Sequence, residues 1–272
     1  MSSTATSLVQ AFLASGSLPL SRSIGQVQTL LSSADYDSRD LAEFLRLDPT
    51  LAARVMAAAN SAYFSRRRCG DIDDAVSRLG TVQLSRIFTQ ILASSTLINP
   101  LRAYGLPTHA LWQRSVFTAI GAELAAGRRG DDRSAAYTIG LLHLLGMLVI
   151  DDLWIKAGSP RPLVRVDFDR EWSADEFRLC GFTHAVLGEE LLRQLQFPPA
   201  VCTAVGRQYE PPTVPVEHAL YVGRLVQSCA YETPTLDPDS LVLREFKLTA
   251  PDQLDAFLND VRTEAQSFMR AA

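Results

Sequence analysis

The residues of this 272-residue chain that could do chemistry are few and scattered. Its four histidines, His109, His143, His184 and His218, and its four cysteines, Cys69, Cys180, Cys202 and Cys229, form no CxxC pair and no close His/Cys cluster of the kind a zinc site needs. The cysteines read as buried reduced thiols. No GxSxG, GxxxxGK[ST], HExxH or GxGxxG occurs, so the common nucleophile, phosphate-cradle, zinc-protease and dinucleotide patterns are missing. One compact basic run stands out, Arg66-Arg67-Arg68, but Asp71, Asp73 and Asp74 follow closely and weaken any steering of phosphate. Tyr63 and Phe64 precede the run, and aromatics beside arginines are typical of protein-binding hot spots. A protein-docking surface at Tyr63, Phe64, Arg66, Arg67 and Arg68 is therefore favoured over contact with nucleic acid.

The rest of the composition describes the scaffold that must position these residues. At 47% hydrophobic and 21% charged, the chain is neither disordered nor of low complexity. A net charge of −4 leaves no footprint for indiscriminate binding to nucleic acid or anionic membrane. Residues 1–21 lack a basic stretch followed by a continuous apolar run, and the most apolar segment, Ala135 to Ile150, is short of a membrane span and contains His143. The expected location is cytoplasmic, with no membrane partner.

Apolar residues recur every three or four positions nearly throughout, which predicts an all-α fold. Leu41, Phe44 and Leu45 make one stripe that stops by Leu47, and Asp48-Pro49 starts the next helix with a carboxylate cap and a proline at its first position. Asp71 opens a short helix ended by Gly80 as a left-handed cap, and Thr81 starts a longer one running toward Asn99-Pro100. A helix with Trp112, Val116, Ala119 and Leu124 inward should pair with an unbroken apolar helix from Asp131-Asp132 to Ile150. Lys156 to Trp172 reads as a loop or short irregular strand, open to proteolysis. Thr183 caps a helix with Leu187 and Leu191 inward. Further helices follow from Val201, from Val216 to Tyr231 and from Thr249 onward.

Residues 38–64, SRDLAEFLRLDPTLAARVMAAANSAYF, and residues 72–80, IDDAVSRLG, resemble the signature of HDOD domains, noncatalytic bacterial relatives of HD-type phosphohydrolases. The likeness continues in LWQRSVFTAIGAELA from Leu111, GLLHLLGMLVI from Gly140 and GFTHAVLGEELL before Pro198, covering residues 18–230. It implies a two-lobed helical HDOD-type fold, residues 1–105 forming an N-terminal lobe and 106–272 a degenerate HD-like lobe. At the positions where a hydrolase holds metal ligands, the resemblance places Arg114, His143-Leu144, Arg207-Gln208 and Arg224. Leucine offers no donor atom, and a guanidinium repels a cation.

The resemblance thus implies no metal, no cofactor and no catalysis, and a role in bacterial signal transduction through binding of a signalling protein or a ligand. No receiver, output or membrane segment is recognisable in the chain, so information is expected to pass through its surface. Two other readings stand beside it: a residual metal-dependent phosphodiesterase acting on a nucleotide or cyclic dinucleotide, and a nucleic-acid-binding regulator. Arg114, Arg207 and Arg224 could also converge into an anion site for a second messenger. Asn60-Ser61 at a helix end can cap it or contact a ligand, and His184 can cap, bridge helices or bind.

Overall fold

Local hydrogen-bonding chemistry sets most helix boundaries in the computed structural model, which describes residues 3–16, 38–60, 68–93, 101–107, 110–158, 171–231 and 241–271. In chain order the helices are α1 Ser3–Ala14, α2 Ser38–Leu47, α3 Pro49–Ala59, α4 Ile72–Ala93, α5 Ala110–Arg129, α6 Arg133–Leu142, α7 Gly146–Lys156, α8 Glu171–Cys180, α9 His184–Gln194, α10 Pro199–Gly206, α11 Pro215–Tyr231, α12 Leu241–Glu245 and α13 Pro251–Ala271. The fold is all-α. The Leu101–Leu106 antiparallel bridge is the one extended pairing among the described residues.

Asp48 accepts from the amides of Thr50 and Leu51 at 3.0 and 3.1 Å, satisfying orphan donors of α3, while Pro49 lacks the amide that would need a partner. Asp132 caps α6 and Thr183 caps α9 in the same way, each accepting from the third residue on. Gly80 takes the positive φ expected of it, but at ψ 170° it kinks α4 instead of ending it. The predicted unbroken helix to Ile150 is also corrected: it stops at Leu142, turns through His143 to Leu145 and restarts at Gly146. The backbones of α7 and α9 meet there, and a Cβ on Gly146 would lie 1.9 Å from the His184 carbonyl oxygen. Arg133–Lys156 is apolar enough to cross a membrane by composition, yet 78% of its most apolar window is buried inside the fold.

Most of the predicted loop from Lys156 to Trp172 lies outside the described residues, and its last two residues already belong to α8. α5 and α6 pack as the expected pair, with Gly140 tight against the Ala119 backbone, and α11 crosses α5 where Gly223 faces Gly121. One apolar core runs from Val9 of α1 through Leu51, Leu84, Leu142, Leu187 and Val205 to Val261 of α13. α1 lies on the C-terminal half of the chain, where Gln194 Nε2 donates to the Thr6 carbonyl at 3.0 Å.

Candidate functional site

The turn between α6 and α7 presents His143 and Leu144, the pair that the family resemblance sets at the hydrolase His-Asp position. His143 is buried, and its Nδ1 lies 2.6 Å from the Gly140 carbonyl, so that nitrogen carries the proton. Burial, reinforced by the charge of Arg224, lowers its pKa to about 3 and keeps the ring neutral. Leu144 is buried beside it. Gln208 Nε2 donates to the His143 carbonyl at 3.0 Å, while Arg224 donates to the Gln208 carbonyl and stacks 4.0 Å over the Tyr209 ring.

Arg207 serves other partners, Glu210 at 2.8 Å, Thr213 at 3.2 Å and Glu217 at 3.6 Å. Arg114 is buried within α5. The structure therefore gathers His143, Gln208 and Arg224, and directs Arg207 to an acidic pair. One neutral imidazole, a leucine and a nearby guanidinium do not fit a divalent cation. Among the described residues no three His, Cys, Asp or Glu side chains are grouped to hold one.

A denser polar constellation lies beside this turn, and only His184 of it was singled out from the sequence. Glu176 of α8 is fully buried and accepts from three donors. Tyr104 Oη donates to Oε1 at 2.7 Å, the His184 amide donates to Oε2 at 2.7 Å, and His184 Nδ1 lies 2.8 Å from both oxygens. Nδ1 facing a carboxylate carries a proton, and Nε2 on the other side of the ring pairs with Tyr209 Oη at 2.9 Å. Burial first, and then the charge of Glu176, push the Tyr104 hydroxyl well above its usual pKa, so it remains a donor. A second buried carboxylate, Asp151, accepts from the Ala103 amide at 2.6 Å, and burial raises its pKa to about 6. Together the two carboxylates fasten the Leu101–Leu106 turn to α7 and α8. α8 has a weak apolar pattern, and a buried glutamate looks in sequence like a solvated one. The available signal was His184 itself, a buried first-turn histidine needing a partner.

Of the proposed docking residues, Tyr63, Phe64, Arg66 and Arg67 lie outside the described residues. The base of their segment is well defined. Asn60 Oδ1 accepts from the Cys69 amide at 2.7 Å and Nδ2 donates to the Cys69 carbonyl at 3.1 Å, so Asn60 closes the segment rather than facing a ligand. Arg68 is exposed and donates to the Phe197 carbonyl at 3.3 Å, joining this base to the turn between α9 and α10.

Comparison with known proteins decides the family, because the HDOD domain model matches residues 18–211, more than half of the chain. The chain belongs to the HDOD family. No curated protein sequence matches it. Among solved structures, this HDOD chain resembles the MmoQ response regulator of Methylococcus capsulatus str. Bath, with 21% identity and a TM-score of 0.72 over 89% of this chain and 97% of that one. It also resembles a virulence factor of Campylobacter jejuni, with 17% identity and a TM-score of 0.72 over 97% and 100% of the two chains. A Marinobacter aquaeolei VT8 protein named for signal transduction aligns with 98% of this chain and 65% of its own, at 20% identity and a TM-score of 0.51. At these identities the likeness is one of fold.

Proposed function

We propose that this HDOD protein is a noncatalytic module of bacterial signal transduction that acts by binding. The observation carrying this reading is the state of the His143 turn: a neutral, backbone-bound imidazole, an apolar Leu144 and the cation of Arg224 stand where a hydrolase would gather metal ligands. The response-regulator and signal-transduction names of its structural neighbours support the same reading. Residues 1–105 and 106–272 act as two lobes with a shared core, α1 reaching across to lie on the second, in the cytoplasm. The partner is a signalling protein that docks on Tyr63, Phe64 and Arg66 to Arg68, a segment whose ends are held by Asn60, Cys69 and Arg68.

The test couples capture with chemistry. The double variant Arg66→Glu/Arg67→Glu is expected to lose partner capture in a quantitative pull-down while melting at the wild-type temperature, as a run of charges that serves docking and not folding requires. Arg68 is left intact there, since its bond to Phe197 also serves the fold. Full capture by the double variant overturns the docking surface. Turnover of a cyclic dinucleotide by the protein loaded with manganese or iron(II) overturns the noncatalytic reading.

A further inference from the structure

The end of α5, the start of α6 and the middle of α13 meet around a cavity of about 240 Å³ lined by Leu124, Gly127, Arg128, Arg133, Phe257 and Asp260. Its charged walls are not paired with one another. Arg128 lies with its Cζ 4.6 Å over the centre of the Phe257 ring, a contact that holds the guanidinium by its face and leaves its N–H edge for another acceptor. Arg133 folds back along Gly127, where a Cβ would fall 3.4–3.7 Å from its Cδ, Nε and Cζ. Its ion-pair partner, Glu123, lies outside the cavity lining at 3.8 Å, beyond hydrogen-bond reach. Asp260 stands one helical turn beyond Phe257 on the same face of α13, and among the described residues it pairs with neither arginine. Two guanidiniums on one concavity repel each other unless an anion lies between them, and a carboxylate on the remaining wall is an acceptor for a cation.

We propose that this cavity binds a free α-amino acid, whose carboxylate is held by Arg128 and Arg133, whose ammonium is held by Asp260 and whose aliphatic side chain lies along Leu124. A zwitterion meets both signs of charge at once, whereas a simple anion such as phosphate would set its charge against Asp260. Size points the same way: about 240 Å³ falls below the roughly 300–1,000 Å³ of sites for drug-sized ligands, which favours a molecule of amino-acid size over a nucleotide. α5 and α6 are joined by the turn at Gly130, and α13 packs on α5, so a ligand bridging Arg128, Arg133 and Asp260 ties α13 to that helix pair. This gives the proposed signalling module a small-molecule input separate from the segment at 61–67. The site stands whether or not a protein docks on that segment, because its occupancy is read on the amino acid itself.

The experiment titrates the full chain with each common L-amino acid in turn at constant ionic strength, following the melting temperature, and measures the affinity of each responder by calorimetry. At least one with an aliphatic side chain is expected to raise the melting temperature saturably. Its amine analogue, which lacks the carboxylate, and its acid analogue, which lacks the ammonium, should bind on the order of 10- to 100-fold more weakly, the equivalent of losing a hydrogen bond between charged groups. Arg128→Gln and Asp260→Asn should each weaken binding by about the same factor, and both side chains are exposed, so the variants remain folded. Arg178→Gln, which changes an exposed arginine outside the cavity, should bind as wild type does. No saturable response to any amino acid overturns the site, as does a response that survives undiminished in both cavity variants. Equal binding of the acid analogue overturns the role of Asp260. A response to inorganic phosphate or guanosine monophosphate in place of an amino acid overturns the ligand class.

Discussion

Gly146→Ala tests the contact on which both the His143 turn and His184 depend. An added Cβ would sit 1.9 Å from the His184 carbonyl oxygen, 2.6 Å from the Gly188 amide nitrogen and 2.8 Å from the His184 carbonyl carbon. All three neighbours are backbone, so no rotamer change relieves the clash, and an ordinary contact requires α7 and α9 to part by roughly 1 Å or more. Parting loosens the packing of Met147, Val149, Ile150, Leu187 and Leu191, all buried, and a gap of about that size forfeits a quarter to a half of each dispersion contact across it. Overpacking and the lost contacts together are expected to cost about 3–5 kcal/mol, a large share of a typical stability of roughly 5–15 kcal/mol. Urea denaturation of the full chain measures the loss as a fall in midpoint. Gly130→Ala is the control: its φ is +76° with nothing near the Cβ position, so it should lose only the left-handed penalty of about 1–2 kcal/mol. A Gly146→Ala loss below about 1 kcal/mol, or one no larger than that of Gly130→Ala, refutes the close approach and the explanation of the helix break.

The remaining expectations concern charge and the base of the docking segment. His143 has a folded pKa of about 3 against an ordinary 6.5, so the unfolded chain binds the extra proton between those values, and the contribution of His143 to stability falls as pH drops through that window. Asp151 acts in the opposite sense between its ordinary 3.8 and its folded value of about 6, because there the folded state holds the extra proton. Asp151→Asn, which keeps an acceptor for the Ala103 amide, should therefore steepen acid destabilisation between pH 4 and 6, as read by melting temperature against pH; an unchanged slope contradicts the buried-carboxylate account. Asn60→Ala strands the buried amide and carbonyl of Cys69 and should cost about 2–4 kcal/mol while speeding proteolysis within residues 61–67; thermal melting at the wild-type temperature would show that the clamp contributes nothing.

What the sequence determined by itself is the part of the fold written in near neighbours. Asp48-Pro49, Asp132 and Thr183 start helices through bonds to amides two or three residues away, and the stripes of Leu41 and Leu45, or Leu187 and Leu191, face inward because helical period alone puts them on one side. Asn60 was legible as a helix end, although its partner Cys69 was not. Tertiary structure decided the features that depend on distant segments meeting. The break before Gly146 exists because another helix's backbone arrives there, and nothing within the apolar run announces it. The role of Glu176 likewise arises from residues separated along the chain, Tyr104, His184 and Tyr209, brought together by packing. Its side chain is chemically identical to a solvated glutamate, and only the loss of water on burial turns it into a fastening point whose donors must come from elsewhere in the fold.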